Sequence, residues 1–274
     1  MPGWKPDFLN TSPIFEPLHP IGSSLEKLSD WPNFRDIAYL IHQSSGRIAT
    51  RSGKSVHFVP QQKSVCGFEE QYEVRIYQKG EVQTRLCNWH DLFNALVWIV
   101  FSKTKAELNQ LHYQAMMQEW QGGKKQRGLL RDAATCFDES GVVVVCSDDN
   151  LAQLLKDFEW KELFWTQRTR LLAHMKFFIF GHGLYEKALS PYVGMTGKGI
   201  VLPVAEEFFS QTLSSQLEFI DTMLSVYIRQ HLTATTDLTP VPVLGYPGWS
   251  SGNAEQSYYD NRLYFRPRSM QKKN

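Results

Sequence analysis

The chain has 274 residues, 42% hydrophobic and 21% charged, which is apolar enough to build a packed core and excludes disorder as the default. Lysine plus arginine number 29 against 28 acidic residues, a formal charge of +1, which argues against a protein that grips phosphate backbones by bulk charge. The four cysteines, Cys66, Cys87, Cys136 and Cys146, form no C-x-x-C pair, which excludes a thiolate zinc site of the usual spacing and suits thiols in a reducing compartment.

No basic segment followed by an apolar run opens the chain, so no signal peptide is expected. The longest apolar stretch, Leu92 to Phe101, is about half of what a membrane helix needs. The expectation is a soluble, cytoplasmic protein folded as one domain over 1–274, with no membrane partner.

In chain order, residues 1–33 are rich in proline and aromatics, among them Trp4, Phe8, Phe15 and Trp31. They read as an extended arm laid over the domain surface, followed by a short helix near Asn33–His42. Residues 44–70 read as loop. From Tyr72 to Leu86 the alternation of Tyr72, Val74 and Ile76 with Glu73, Arg75 and Tyr77, and the turn at Gln78-Lys79-Gly80, predict a β-hairpin. Asn88 is a good N-cap for a helix that is apolar nearly all round to Phe101, hence central. A second helix follows to about Trp120, with a stripe at Leu108, Leu111 and Ala115. After the turn Gln121–Lys125, a second hairpin is expected from Ala133–Phe137 through Asp138-Glu139-Ser140-Gly141 into Val142–Cys146, because Asp first and Gly fourth suit a type I turn.

Residues 148–173 carry helical spacing, capped by Ser147 or Asp148, and Phe177–Phe180 suits a short strand. A helix from Leu184 to Leu189 stops before Pro191, and Tyr192–Gly199 reads as a glycine-rich loop. The clearest helix is 204–231, with its stripe at Phe209, Leu213, Leu217, Ile220, Leu224 and Ile228. Residues 233–274 read as an irregular wrap with aromatic anchors and a basic end from Arg262 to Lys273. Together these elements predict an α+β fold: a predominantly helical core over 72–231 with a small antiparallel sheet from two β-hairpins.

Four clusters carry polar chemistry. His90 and Asn94 share a helix face, and Asn109 and His112 share one on the next helix; in an antiparallel pair, at about 1.5 Å per residue, their levels coincide. His90, Asp91 and His112 could therefore form a metal or acid–base site, or the same residues could be a buried hydrogen-bond network with Asp91 as a cap. Arg131-Asp132 could point into a cleft, or form a surface ion pair. The neighbouring Asp138-Glu139 pair is explained by turn chemistry. In Gly181-His182-Gly183, the flanking glycines permit close backbone approach, and a histidine at a helix start suits a general base; Glu186 lies one turn on. Lys198 sits in a glycine-rich loop that could cradle an anion but is no P-loop.

Several longer stretches resemble one bacterial family. They are Asn-Trp-His-Asp-Leu-Phe-Asn-Ala-Leu-Val-Trp (88–98), Thr-Lys-Ala-Glu-Leu-Asn-Gln-Leu-His (104–112), Arg-Asp-Ala-Ala-Thr-Cys-Phe-Asp-Glu-Ser-Gly (131–141) and Phe-Gly-His-Gly-Leu-Tyr-Glu-Lys (180–187). Thr-Gly-Lys (196–198), Leu-Gly-Tyr-Pro-Gly-Trp (244–249) and Tyr-Phe-Arg-Pro-Arg (264–268) add to them. The chain is similar over about 72–268 to the proteobacterial domain-of-unknown-function family number 3025. Gly183 stands where that pattern leads to Ala, and Ser102 where it leads to Pro. The resemblance implies a bacterial cytoplasmic protein and assigns no catalytic residue.

The leading functional expectation is a hydrolase whose catalytic residues are His90, Asp91, His112 and His182. Asn94, Arg131, Asp132, Lys187 and Lys198 would hold an anionic small substrate. A bound metal, on His90, Asp91 and His112, would be Zn, Mn or Fe rather than Mg alone. The alternatives are a nucleotide- or RNA-binding module that uses Lys198, the basic tail and exposed Trp249 or Tyr259 for stacking, and a non-catalytic structural or interaction protein.

Overall fold

The computed structural model describes residues 3–44, 48–62, 67–123 and 128–268. Cys66, the lysines of the 121–125 turn and the last residues of the basic tail lie outside that set. Short 3-10 turns and the four-residue helix α1 (His19–Gly22) carry the chain to α2 (Phe34–Ser44). Strand β1 (His57–Pro60), helix α3 (Tyr72–Lys79) and strand β2 (Glu81–Thr84) follow, then α4 (Trp89–Val100), α5 (Ser102–Gln121) and α6 (Leu129–Ser140). Strand β3 (Gly141–Cys146) leads to α7 (Asp149–Lys156), a π-helical turn at Glu162–Thr166, α8 (Arg168–His174), β4 (Met175–Ile179) and α9 (His182–Ala188). Strand β5 (Thr196–Pro203), α10 (Leu213–His231) and β6 (Thr239–Pro242) complete the order.

The fold is α+β, but its sheet is not built from hairpins. The main sheet has the order β4-β3-β5-β6, with β3 and β5 parallel and the two outer pairs antiparallel. A separate two-stranded sheet pairs β1 with β2 in parallel. Strand β3, Gly-Val-Val-Val-Val-Cys, is buried at every position, as expected of a central strand flanked on both sides.

Both expected hairpins are corrected, because the first arm of each is a helix. In α3 the buried residues Val74, Arg75 and Ile76 are consecutive, so the apparent alternation was not a face. Arg75 is held inward by Glu70 and Glu81, a pairing that hydrophobic patterning cannot register. Gly80 ends α3 at φ 76°, donating its N–H to Ile76, so the supposed turn is a left-handed helix C-cap. In α6, Ala133, Ala134 and Phe137 are buried at helical spacing, and Asp138 to Ser140 form its last turn instead of a type I turn. The 44–70 loop contains β1, and the 192–199 loop already contains the start of β5, where Lys198 pairs with Gly141. The last long helix begins at Leu213, not 204, with a 3-10 turn at Glu206–Ser210 before it.

Other elements form as expected. Asn88 caps α4, its side chain accepting the Asp91 N–H at 3.0 Å, and nine of the helix's twelve residues are buried. Asp148 caps α7. The N-terminal arm is not laid over the surface. Phe8 and Phe15 are fully buried in the main core, and Trp4 stacks on Trp89 at 5.3 Å. Phe15 stacks between Phe93 of α4 and Tyr185 of α9. Such ring contacts are worth about 0.5–1.5 kcal/mol each beyond burial. They clamp together the two helices whose polar faces carry His90 and His182. Trp249 and Tyr259 are also buried, which removes them as exposed stacking platforms for a nucleic acid.

Candidate functional site

Five helices and the end of β2 surround one cavity of about 350 Å³. Helix α4 supplies His90, Asp91 and Asn94; α3 supplies Tyr72 and Glu73; α5 supplies His112; α6 supplies Thr135, Asp138 and Glu139; α9 supplies His182. Arg85 closes the wall from just after β2. His90, His112 and His182, far apart in sequence, thus line one hollow.

The glycines flanking His182 explain how α9 reaches α6. A Cβ on Gly181 would lie 2.5 Å from the Gly141 nitrogen, and one on Gly183 2.7 Å from a Glu139 carboxylate oxygen. Without side chains there, the start of α9 presses onto the end of α6, and His182 meets Glu139. His182 Nε2 lies 3.1 Å from His90 Nε2 and 3.4 Å from Glu139 Oε1, and His90 Nε2 lies 3.6 Å from the same oxygen. A triangle with those sides has a point about 2 Å from every corner. Nitrogen and carboxylate ligands bind zinc at about 2.0–2.2 Å. His90, Glu139 and His182 therefore offer three ligand atoms at metal spacing.

The outer nitrogens decide what the inner ones can do. His90 Nδ1 lies 3.0 Å from Glu186 Oε2, so its proton belongs there, donated to the carboxylate, and its Nε2 turns a lone pair inward. His182 Nδ1 is buried without a hydrogen-bond partner, its nearest carboxylate oxygen being Asp138 Oδ2 at 3.8 Å. With the proton on Nδ1 it faces that carboxylate favourably; with the proton on Nε2, a bare lone pair would face the same negative charge. The favourable arrangement leaves two imidazole lone pairs and a carboxylate oxygen facing one another. A cation among them relieves that repulsion.

Around this triangle the polar groups are tightly held. Lys105, only 5% exposed in its side chain, donates to Asp138 Oδ1 at 2.6 Å and to Asn94 Oδ1 at 2.8 Å, and lies 5.4 Å over the Trp98 ring. Asn94 in turn donates to the Tyr72 hydroxyl at 2.9 Å. Burial raises the Asp138 carboxyl, but Lys105 and His182 more than offset it and hold it below its ordinary value. Glu139 is likewise lowered, burial being outweighed by His182 and His90. For Asp91, burial is outweighed by Arg85, which binds it through its backbone N–H and through the guanidinium, Nη2 to Oδ1 at 2.8 Å.

The expected metal candidates are therefore regrouped. His90 stays; Asp91 is turned to Arg85, and His112 lines the cavity but is not one of the three clustered ligands. The clustered ligand atoms beside that of His90 belong to Glu139 and His182. The cations expected to hold an anionic group do not reach the cavity. Arg131 pairs with Glu119 at 2.6 Å, Lys187 points to solvent from α9, and Lys198 lies in β5; Asp132, on α6, is also absent from the wall. Glu73, Asp91, Asp138 and Glu139 face inward against Arg85, which Asp91 already engages.

Sequence reasoning missed Tyr72, Glu73, Arg85, Lys105 and Glu139 as a group. The adjacent carboxylates Asp138-Glu139 were the available signal, and the turn assignment hid it. Once α6 is helical, the two residues aim at different neighbours: Asp138 at Lys105 and His182, Glu139 at His90 and His182.

No curated protein and no solved structure matches this chain. A family model described as "Protein of unknown function (DUF3025)" matches residues 56–269, a span that includes β1 and every residue of the cavity wall. The chain is a member of that family.

Proposed function

We propose that this protein is a metal-dependent hydrolase with one divalent transition metal held by His90, His182 and Glu139. The carrying observation is the triangle of His90 Nε2, His182 Nε2 and Glu139 Oε1 with sides of 3.1, 3.4 and 3.6 Å. Two imidazoles and one carboxylate suit Zn²⁺, Mn²⁺ or Fe²⁺ over Mg²⁺, and three protein ligands leave a coordination position open to the cavity. Glu186 stands behind the His90 imidazole and orients it through a hydrogen bond, while Asp138 faces His182 Nδ1 at 3.8 Å. A metal held by these three residues would supply Lewis-acid activation of water for attack at neutral pH. His112, which lines the same cavity, would be the group placed to take up a proton there and pass it to a leaving group.

Metal analysis of the purified protein, followed by zinc titration calorimetry on the metal-stripped chain, tests the reading. One Zn²⁺ per chain is expected, with uptake abolished in His90→Ala. A chain that takes up none of Zn²⁺, Mn²⁺ and Fe²⁺ refutes it.

A further inference from the structure

We infer that Tyr72 is the hydrogen-bond donor that holds a substrate's carbonyl oxygen, and that the substrate is a neutral ester or amide; this rests on the metal-site reading above. A chain of fixed donors and acceptors leads to it. The Lys105 ammonium can only donate, so Asn94 must turn Oδ1 toward it, at 2.8 Å. That leaves the Asn94 amide nitrogen facing the Tyr72 hydroxyl at 2.9 Å, and the hydroxyl oxygen there accepts. Tyr72 must then give its own proton elsewhere, and among the described residues no acceptor takes it. Tyr72 lines the cavity and is 39% exposed. Burial, with Glu73 and Asp138 nearby, raises the phenol further above its ordinary value, so it remains a donor at neutral pH.

The charge of the wall selects the substrate class. Glu73, Asp91, Asp138 and Glu139 face inward, and the lining cation Arg85 is committed to Asp91. Asp138 is paired with Lys105 and Asp91 with Arg85, and Glu139 belongs to the ligand triangle, so the charge left beside the Tyr72 hydroxyl is that of Glu73. A phosphate or carboxylate held by Tyr72 meets that like charge, whereas a neutral carbonyl does not. In the step this implies, water adds to the carbonyl carbon and forms the new C–O bond. The π pair moves onto the oxygen that Tyr72 holds. When the pair returns, the bond to the alcohol or amine breaks, and the leaving group takes the proton that the water gave up.

The test uses the full chain loaded with zinc, with N-methylacetamide as the neutral carbonyl probe and inorganic phosphate as the anion probe, both by calorimetry. Zinc content is measured on the same samples. Tyr72→Phe is expected to keep one zinc per chain and to bind N-methylacetamide about 3- to 10-fold more weakly, the worth of one hydrogen bond. Phosphate is expected to bind more weakly than N-methylacetamide to the unaltered chain. Equal affinity in Tyr72→Phe at full zinc occupancy overturns the donor role and leaves the metal site standing. Phosphate binding as tight as that of N-methylacetamide overturns the substrate class. A chain that takes up no zinc overturns the inference together with the metal reading.

Discussion

Asp221 and Asp138 are both carboxylates drawn deep into the protein, and their surroundings differ in kind. Asp221, on α10, receives the backbone N–H groups of Lys103 and Thr104 at 2.9 and 2.8 Å, one on each oxygen. These open α5, whose own N-cap position, Phe101, has no capping side chain, so a residue from a distant helix performs the cap. Burial raises the Asp221 carboxyl above its ordinary value, against those hydrogen bonds. Asp138 has the opposite shift, because Lys105 and His182 surround it. Both carboxylate oxygens of Asp221 have partners inside the fold. Around Asp138, among the described residues, His182 Nδ1 has none, and three ligand atoms of His90, Glu139 and His182 lie together. A closed account marks a structural site, and a surplus marks one arranged for something else.

The contrast can be broken by substitution. The largest effect is expected from Glu139→Ala. Losing a direct ligand should weaken zinc binding by more than the roughly 10- to 100-fold typical of a lost outer partner. The metal-free chain should melt within a few degrees of the unaltered one, because Glu139 fills no core space. Calorimetry and thermal melts on the same sample check both. Asp221→Ala should do the reverse. With two backbone N–H groups left uncapped at the start of α5, a loss of about 2–3 kcal/mol in urea unfolding is expected, with zinc affinity unchanged. If Asp221→Ala abolished zinc binding while folded, the two regions would not be separable.

Smaller effects sharpen the picture. Glu186→Gln keeps a hydrogen-bond acceptor for His90 Nδ1 but removes the charge. Zinc affinity should fall by about tenfold, the low end for an outer partner. The Asp221 cap should also respond to pH. Its folded-state pKa is raised, so the folded chain holds that proton more tightly than the unfolded one. Its contribution is full below the unfolded carboxylate value near about 3.9 and is lost as pH rises through the folded value. The stability difference between the unaltered chain and Asp221→Asn should shift in that direction between pH 4 and 7, and a shift of opposite sign refutes the burial argument. Least of all, Arg131→Ala should leave zinc affinity untouched in calorimetry, since its pair with Glu119 lies outside the cavity.

How much of this was legible in the sequence depends on how local each cause is. The α4 helix and its Asn88 cap could be read, because a nearly continuous apolar stretch and a capping residue act within a few positions. So could Gly181-His182-Gly183, since two glycines around a histidine announce a close approach. The helices α3 and α6 could not. In α3 a buried arginine is sustained by Glu70 and Glu81, and in α6 an Asp-to-Gly spacing that suits a turn ends a helix instead.

By itself the sequence determined the composition of the site's chemistry: histidines and carboxylates, in short motifs on amphipathic or apolar segments. Only the tertiary structure decided which of them meet. His90 finds Glu139 and His182 because the N-terminal aromatics clamp α4 to α9, and because missing side chains at Gly181 and Gly183 let α9 close on α6. Hydrogen bonds and ligand spacing are set over about 3 Å, whereas sequence patterning speaks only to neighbours along one helix or strand.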